Sequence, residues 1–199
     1  MDVNATLFFA WPLTGADGLR DELLAAYGDE SRGYHDRVHL AEVCERLDEL
    51  ALGGASYDVE PVWLAAWFHD AVYDGQPGAE ERSAAWAEAA LAEVGVAAPV
   101  VAEVARLVRL TETHRPADQD LNGCALCDAD LAVLASEPER YASYVAAVRA
   151  EYAHLSDAEF RAGRAAVMDD LLAKPTLFHT SYGRERWEAA ARRNLAAER

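Results

Sequence analysis

Alternation of apolar and polar residues is rare and short in this chain, which disfavours most β architectures. Alanine, leucine, glutamate and arginine dominate instead, and β-branched residues are sparse outside short valine runs. Three of those four rank among the best helix formers after alanine itself, so helices are expected nearly throughout. Apolar spacing places them at about 17–28, 35–53, 60–74, 79–95, 97–113, 123–135, 138–153, 156–173 and 183–198. Breakers fall between them: Gly53-Gly54 closes the second, Gly75 to Gly78 separates the third from the fourth, Gly95 ends the fourth and Pro116 follows the fifth. Ser156-Asp157-Ala158-Glu159 has the pattern of a capping box opening the eighth. Leu40, Val43, Leu47 and Leu50 make one apolar stripe, and Trp63, Leu64, Trp67 and Phe68 another, so the helices should pack as a bundle. The expected fold is all-α, a bundle of about eight or nine helices in one domain over 1–199, with residues 1–30 as an N-terminal arm or lid.

A chain of 199 residues can bury a sizeable core, and 52% hydrophobic with 27% charged residues is a globular composition. A net charge of -17 excludes a protein that grips a nucleic-acid backbone, which needs clustered cations to displace counterions. Lys174 is the single lysine; every other basic residue is arginine, whose planar fork suits individual phosphates. A small phosphorylated ligand is compatible with this composition, and a long polyanion is not expected. Met1-Asp2-Val3-Asn4 lacks the basic start of a secretion signal, and Leu7 to Leu13 is too short and interrupted to span a bilayer. No membrane association and a cytoplasmic location are expected. Cys124 and Cys127 form a CxxC, yet no second pair completes the four ligands of a closed zinc site. They read as reduced thiols at the start of a helix. The chain is compatible with a homodimer, through a surface the sequence does not locate.

The chemistry concentrates at His69-Asp70, inside the apolar run Trp63 to Tyr73. Burying such a pair unpartnered would cost several kcal/mol, on the order of what polar groups lose on leaving water. His39 lies on the preceding helix, and an acidic pair, Asp128 and Asp130, lies downstream. Two imidazoles with carboxylates over three helices make a ligand set for a divalent transition metal, and suit Mn, Fe, Co, Ni or Zn better than Ca. His35 and His39, four apart, would share a helical face. A short connection makes the second and third helices antiparallel neighbours, which brings the start of one beside the end of the other. Taken alone, the acidic pair is explained as well by capping or complementing the N-terminus of the helix it enters.

The ordered segments Tyr34-His35-Asp36-Arg37-Val38-His39, Trp67-Phe68-His69-Asp70-Ala71-Val72-Tyr73-Asp74, Glu80-Glu81-Arg82-Ser83, Asp128-Ala129-Asp130-Leu131 and Arg186-Trp187-Glu188-Ala189 together resemble the HD superfamily of metal-dependent phosphohydrolases. The resemblance, to a bacterial branch of predicted phosphohydrolases, runs from about residue 30 to the end. It implies an HD-type helical domain with His39, His69, Asp70 and Asp130 as metal ligands, and places Asp128 beside them rather than on the ion. It implies hydrolysis of a phosphate ester or pyrophosphate by a metal-activated water. A carboxylate near the site would orient that water or carry its proton, with Asp74 as first candidate and Glu80 or Glu81 next. His35 is then a candidate for the phosphate pocket, and His114 an auxiliary ligand or phosphate contact. Arg32, Arg37, Arg82 and Arg115 are the candidates for anion binding, each with surface solvation as the plainer explanation.

Tyr73 stands where some members of the superfamily place a glutamate, which argues against the deoxynucleotide monophosphatase branch. The His-Asp-x-x-Glu-Asp run of alarmone hydrolases and the Gly-Tyr-Pro signature of cyclic-di-guanylate phosphodiesterases are absent from the sequence. What the resemblance implies is a reaction class with the substrate open, a nucleotide among the options. Two alternatives stand beside it. One is a di-iron oxygenase of HD type, for which His35 and His114 are the spare ligands. The other is a non-catalytic helical binding module that holds a metal for stability.

Overall fold

The computed structural model describes residues 2–199, and among them there is no β-strand. Eleven α-helices follow one another: α1 (Val3–Ala10), α2 (Asp17–Tyr27), α3 (Arg37–Leu52), α4 (Val59–Phe68), α5 (Ala79–Glu93), α6 (Ala98–Leu110), α7 (Leu121–Leu131), α8 (Pro138–Glu151), α9 (Asp157–Ala173), α10 (Ser181–Arg186) and α11 (Glu188–Glu198). A 3₁₀ turn over Ala132–Ala135 extends α7. The all-helical class agrees with the sequence, and the helix count is somewhat higher than expected. Helix α1 was not anticipated, and the last expected helix is two, broken at the buried Trp187. The capping box at Ser156 and Glu159 is present.

Packing explains how the site is assembled. Helices α3, α4 and α7 touch one another, α5 and α6 pair off, and α6 also leans on α4. Leu40, Val43, Leu47 and Leu50 of α3 and Leu64, Trp67 and Phe68 of α4 are all within the core, as their stripes predict. The stretch read as an arm or lid holds α1 and α2, whose Leu7, Leu23 and Tyr27 are fully buried in that same core. No helix among the described residues is long and apolar enough to cross a membrane.

Two helix ends depart from the expected positions, and both departures shape the site. The helix expected from residue 35 starts at Arg37, because Asp36 caps it, accepting the Val38 and His39 amides at 2.8 and 3.1 Å. His35 therefore precedes the helix and does not share a helical face with His39. The helix expected to reach residue 74 stops at Phe68. Beyond it, Arg32 collects the carbonyls of Asp70 and Ala71 at 2.7 and 2.9 Å, and the Val72 amide goes to Ser83 Oγ at 2.9 Å. These partners from elsewhere in the chain satisfy backbone groups that would otherwise sit in another helical turn.

Candidate metal centre

His39 belongs to the first turn of α3, His69 and Asp70 follow the end of α4, and Asp130 occupies the last turn of α7. Both imidazoles are fully enclosed, while the side chains of Asp70 and Asp130 keep 15% and 14% of their surface exposed. The two imidazole Nε2 atoms are 3.1 Å apart. Asp70 Oδ2 lies 3.0 Å from His69 Nε2 and 3.3 Å from His39 Nε2. Asp130 Oδ1 lies 3.2 Å from His39 Nε2 and 3.7 Å from His69 Nε2. An ion at about 2.0–2.2 Å from each donor spaces neighbouring donors by roughly 1.4–1.6 bond lengths, about 3 Å. His39, His69 and Asp70 converge closely enough to hold one metal ion, with Asp130 Oδ1 beside them.

The orientation of His69 is set by chemistry rather than by choice of tautomer. Its Nδ1 lies 2.8 Å from the Ala66 carbonyl, which can only accept, so Nδ1 carries the proton and a neutral ring offers the Nε2 lone pair to the cluster. Asp70 is held through its backbone on both sides. Its amide donates to the Tyr27 hydroxyl at 3.2 Å and its carbonyl accepts from Arg32. Asp130 Oδ2 takes a 2.7 Å hydrogen bond from His114 Nε2. His114 lies after α6 at φ 49°, the one non-glycine residue with left-handed backbone among the described residues. That conformation costs of order 1–3 kcal/mol and persists where its surroundings enforce it.

Charge balance tells the same story. Burial alone would depress His39, yet its hydrogen bonds to Asp130 and Asp70 raise it to about 10. His69 is likewise raised against its burial, chiefly by the charge of Asp70. Burial alone would raise both carboxyls, but the His69 charge pulls Asp70 and Asp130 below the ordinary carboxylate range, assisted at Asp130 by His114. The pocket is built to hold positive charge, as protons or as a divalent ion.

His35 sits beside this cluster with its ring stacked on Tyr73 at 3.8 Å and its charge felt at Asp70. Its Nδ1 donates to Glu151 Oε2 at 2.8 Å, and Glu151 Oε1 also accepts the amides of Gly33, Tyr34 and His35. The Glu151 side chain is 4% exposed; the residue lies 116 positions from His35 and was not singled out by sequence. No local pattern marks it; only the fold brings the end of α8 to the turn before α3. Tyr34 packs its ring on His39 at 4.6 Å and has a buried hydroxyl with no hydrogen-bond partner among the described residues.

The remaining candidates lie elsewhere. Asp128 is buried away from the cluster and accepts the His179 amide, the Thr180 amide and the Thr180 hydroxyl at 2.7, 2.8 and 2.7 Å. Burial nevertheless raises its pKa to about 6. It and Asp130 lie in the second half of α7, so neither caps that helix's N-terminus; Asp120 does. Asp74 forms an exposed bidentate pair with Arg82 at 2.6 and 2.8 Å, and Glu81 pairs with Arg109. Glu80 stands half-buried in the first turn of α5. Among the arginines, Arg32 clamps backbone carbonyls, Arg37 holds the Leu24 carbonyl at 2.7 Å and Arg115 pairs with Asp170 at 2.7 Å. Cys124 and Cys127 are buried, free thiols within α7.

Compared with protein-family models, with curated proteins and with solved structures, the chain has no match.

Proposed function

We propose that this chain is an HD-type metal-dependent phosphohydrolase acting on a small phosphorylated molecule, with a nucleotide among the candidates. The observation that supports this reading most is the convergence of His39, His69 and Asp70 at donor separations of 3.0 to 3.3 Å, with His69 held in the ligating tautomer. The donor set of imidazoles and carboxylates suits Mn, Fe, Co, Ni or Zn. When bound, such an ion supplies Lewis acidity toward a phosphoryl oxygen and a nucleophilic water at neutral pH. The residues do the rest. His39, His69, Asp70 and Asp130 provide the anionic cradle, and His114 aims Asp130. His35, with Nδ1–H committed to Glu151, has Nε2 left to take up a proton from the attacking water and return it to the leaving oxygen. Asp74 and Glu81, tied to arginines at the surface, are less suited to that proton transfer. A single-ion site is favoured over a di-iron one because His114, one of the two spare ligands, has its Nε2 committed to Asp130.

Metal content by plasma mass spectrometry, on native protein and Asp70→Ala side by side, tests the reading. About one Mn, Fe, Co, Ni or Zn per chain, lost in the variant, is expected. Phosphate release from small phosphomonoesters and nucleotides should then depend on that metal and vanish in Asp70→Asn. Two irons per chain would favour the oxygenase. Retained turnover in Asp70→Asn refutes the hydrolase, and bound metal without any turnover favours the binding module.

A further inference from the structure

Asp130 reaches the cluster from α7, and its free choice of rotamer is removed by His114, whose Nε2–H donates to Oδ2 and leaves Oδ1 on the side of His39. His114 itself sits in a left-handed backbone conformation that few non-glycine residues adopt. What holds it there comes from the far end of the chain. Lys174, at the C-terminal cap of α9, is buried, and its Nζ donates to the Thr113 carbonyl at 3.0 Å and the His114 carbonyl at 3.3 Å. It is also the chain's single lysine. A buried ammonium that donates to two adjacent carbonyls of one turn fixes that turn.

The segment that carries Lys174 is itself anchored. Arg192 Nη2 donates to the Lys174 carbonyl at 2.9 Å, Glu188 accepts the Leu177 and Phe178 amides, and Asp128 accepts those of His179 and Thr180. The C-terminal helices thus hold the strand of chain from Lys174 to Thr180 in register against α7, and the lysine reaches from it to the turn after α6.

We propose that Lys174 is a positioning residue of the metal centre, acting through the Thr113-His114 turn to aim Asp130 at the ion. This rests on the metal-centre reading above. Partners that orient a ligand from outside the coordination sphere typically change metal affinity by about 10–100-fold when removed.

The test is calorimetric titration of Mn²⁺ alone into native protein, Lys174→Met, Lys174→Arg, His114→Ala and the Lys174→Met/His114→Ala double variant. Ring-nitrogen NMR of His114 in metal-free protein accompanies it. Lys174→Met is expected to weaken Mn²⁺ about 10-fold. Lys174→Arg, which keeps donors for both carbonyls, should stay within about 3-fold of native on the same scale. The double variant should bind no more weakly than His114→Ala, since the lysine's effect passes through that ring. In metal-free Lys174→Met the protected His114 Nε2–H signal should be lost. A folded Lys174→Met that binds like native, or whose effect adds fully to that of His114→Ala, overturns the proposal. Where Lys174→Met does not fold, Lys174→Gln replaces it with a neutral donor, an intermediate loss supporting the proposal and native affinity overturning it. Native protein that takes up no metal refutes the underlying reading instead. An unchanged ring signal in Lys174→Met refutes the lysine's role by itself, so the two failures are distinguishable.

Discussion

Asp70 and Asp74 stand four positions apart in one loop and belong to opposite electrostatic regimes. Asp74 is at the surface, where Arg82 grips both its oxygens and holds its carboxyl well below the usual range. Its charge is already balanced by the chain. Asp70 faces two enclosed imidazoles and, among the described residues, has no arginine or lysine partner for its carboxylate. Its balance comes from protons on the surrounding imidazoles, His69 and His35 as well as His39, or from an ion that takes their place. The lesson is that carboxylate identity and proximity to a motif do not assign chemistry; the source of the counter-charge does.

Removing each member of that pair of aspartates in turn should separate the regimes most sharply. Asp70→Ala is expected to lose all bound metal and with it all metal-dependent phosphate release, whereas Asp74→Asn keeps both. Metal at about 100 times its Kd stabilises a binding-competent fold by about 2.7 kcal/mol. For a chain of this size that corresponds to a rise in melting temperature of roughly 5–10 °C. Native protein and Asp74→Asn should show the rise in a thermal scan, and Asp70→Ala should show none. Equal metal-induced shifts in all three proteins would erase the distinction.

The pH dependence sharpens it further. In metal-free protein, His39 is raised from an ordinary 6.5 to about 10 by its carboxylate partners, burial opposing them. A raised imidazole contributes stability that is complete below 6.5 and is lost as pH climbs through about 10. Asp70 and Asp130 are lowered, so their contribution is complete above the ordinary carboxylate value of 3.8 and lost as pH falls toward their folded values. The metal-free melting temperature should therefore peak between about pH 4 and 6.5 and decline on the alkaline side. Metal binding takes the neutral imidazole and releases protons, so the metal-induced rise should grow from pH 6 to 9. A metal-induced shift that is flat with pH would show that the imidazoles are not its donors.

Glu151 offers a subtler break. Its carboxylate makes His35 carry a proton on Nδ1. Glutamine in its place still accepts backbone amides through its oxygen but presents an NH₂ group to the ring, which reverses the tautomer and places the proton on Nε2. Glu151→Gln is expected to lower turnover by about 10–100-fold while leaving metal content unchanged, the magnitude typical of an orienting partner. Ring-nitrogen shifts of His35 should report the reversal. Unchanged turnover with a reversed ring would remove His35 from the proton path.

Much of the fold was legible in the sequence because helix propensity, apolar stripes and breakers all point the same way. The cluster of His39, His69 and Asp70 was legible because two of the three form a dipeptide in an apolar run and the third begins a neighbouring helix. What escaped was set by distant partners. The helix through residue 74 looks continuous locally, and only Arg32, from 38 residues upstream of Asp70, shows why it stops. Asp36 did carry a readable signal, since an aspartate followed by amides it can cap is a common helix start. Arg32, Arg37, Arg82 and Arg115 looked like anion ligands by proximity, yet their partners are carbonyls and carboxylates that no local window reveals. Glu151 and Lys174 had no local mark, being a glutamate and a lysine at helix ends whose meaning lies across the bundle.

The smallest expected effect comes from the exposed side of the comparison. Breaking the Asp74–Arg82 pair by Arg82→Ala leaves an aspartate that water can solvate, because both side chains are substantially open to solvent. The melting temperature should move by less than about 2 °C, and that difference should fade in about 1 M salt, where screening acts within roughly 3 Å. Metal content should not change, since Arg82 contacts Asp74, Gly78 and Gln76 and none of the clustered donors. Phosphate release should stay near native under the mechanism that assigns the proton to His35. A large loss of turnover in Arg82→Ala with metal retained would instead return Asp74 and its arginine to the reaction, and would show that the surface pair orders the loop bearing Asp70 when substrate is bound.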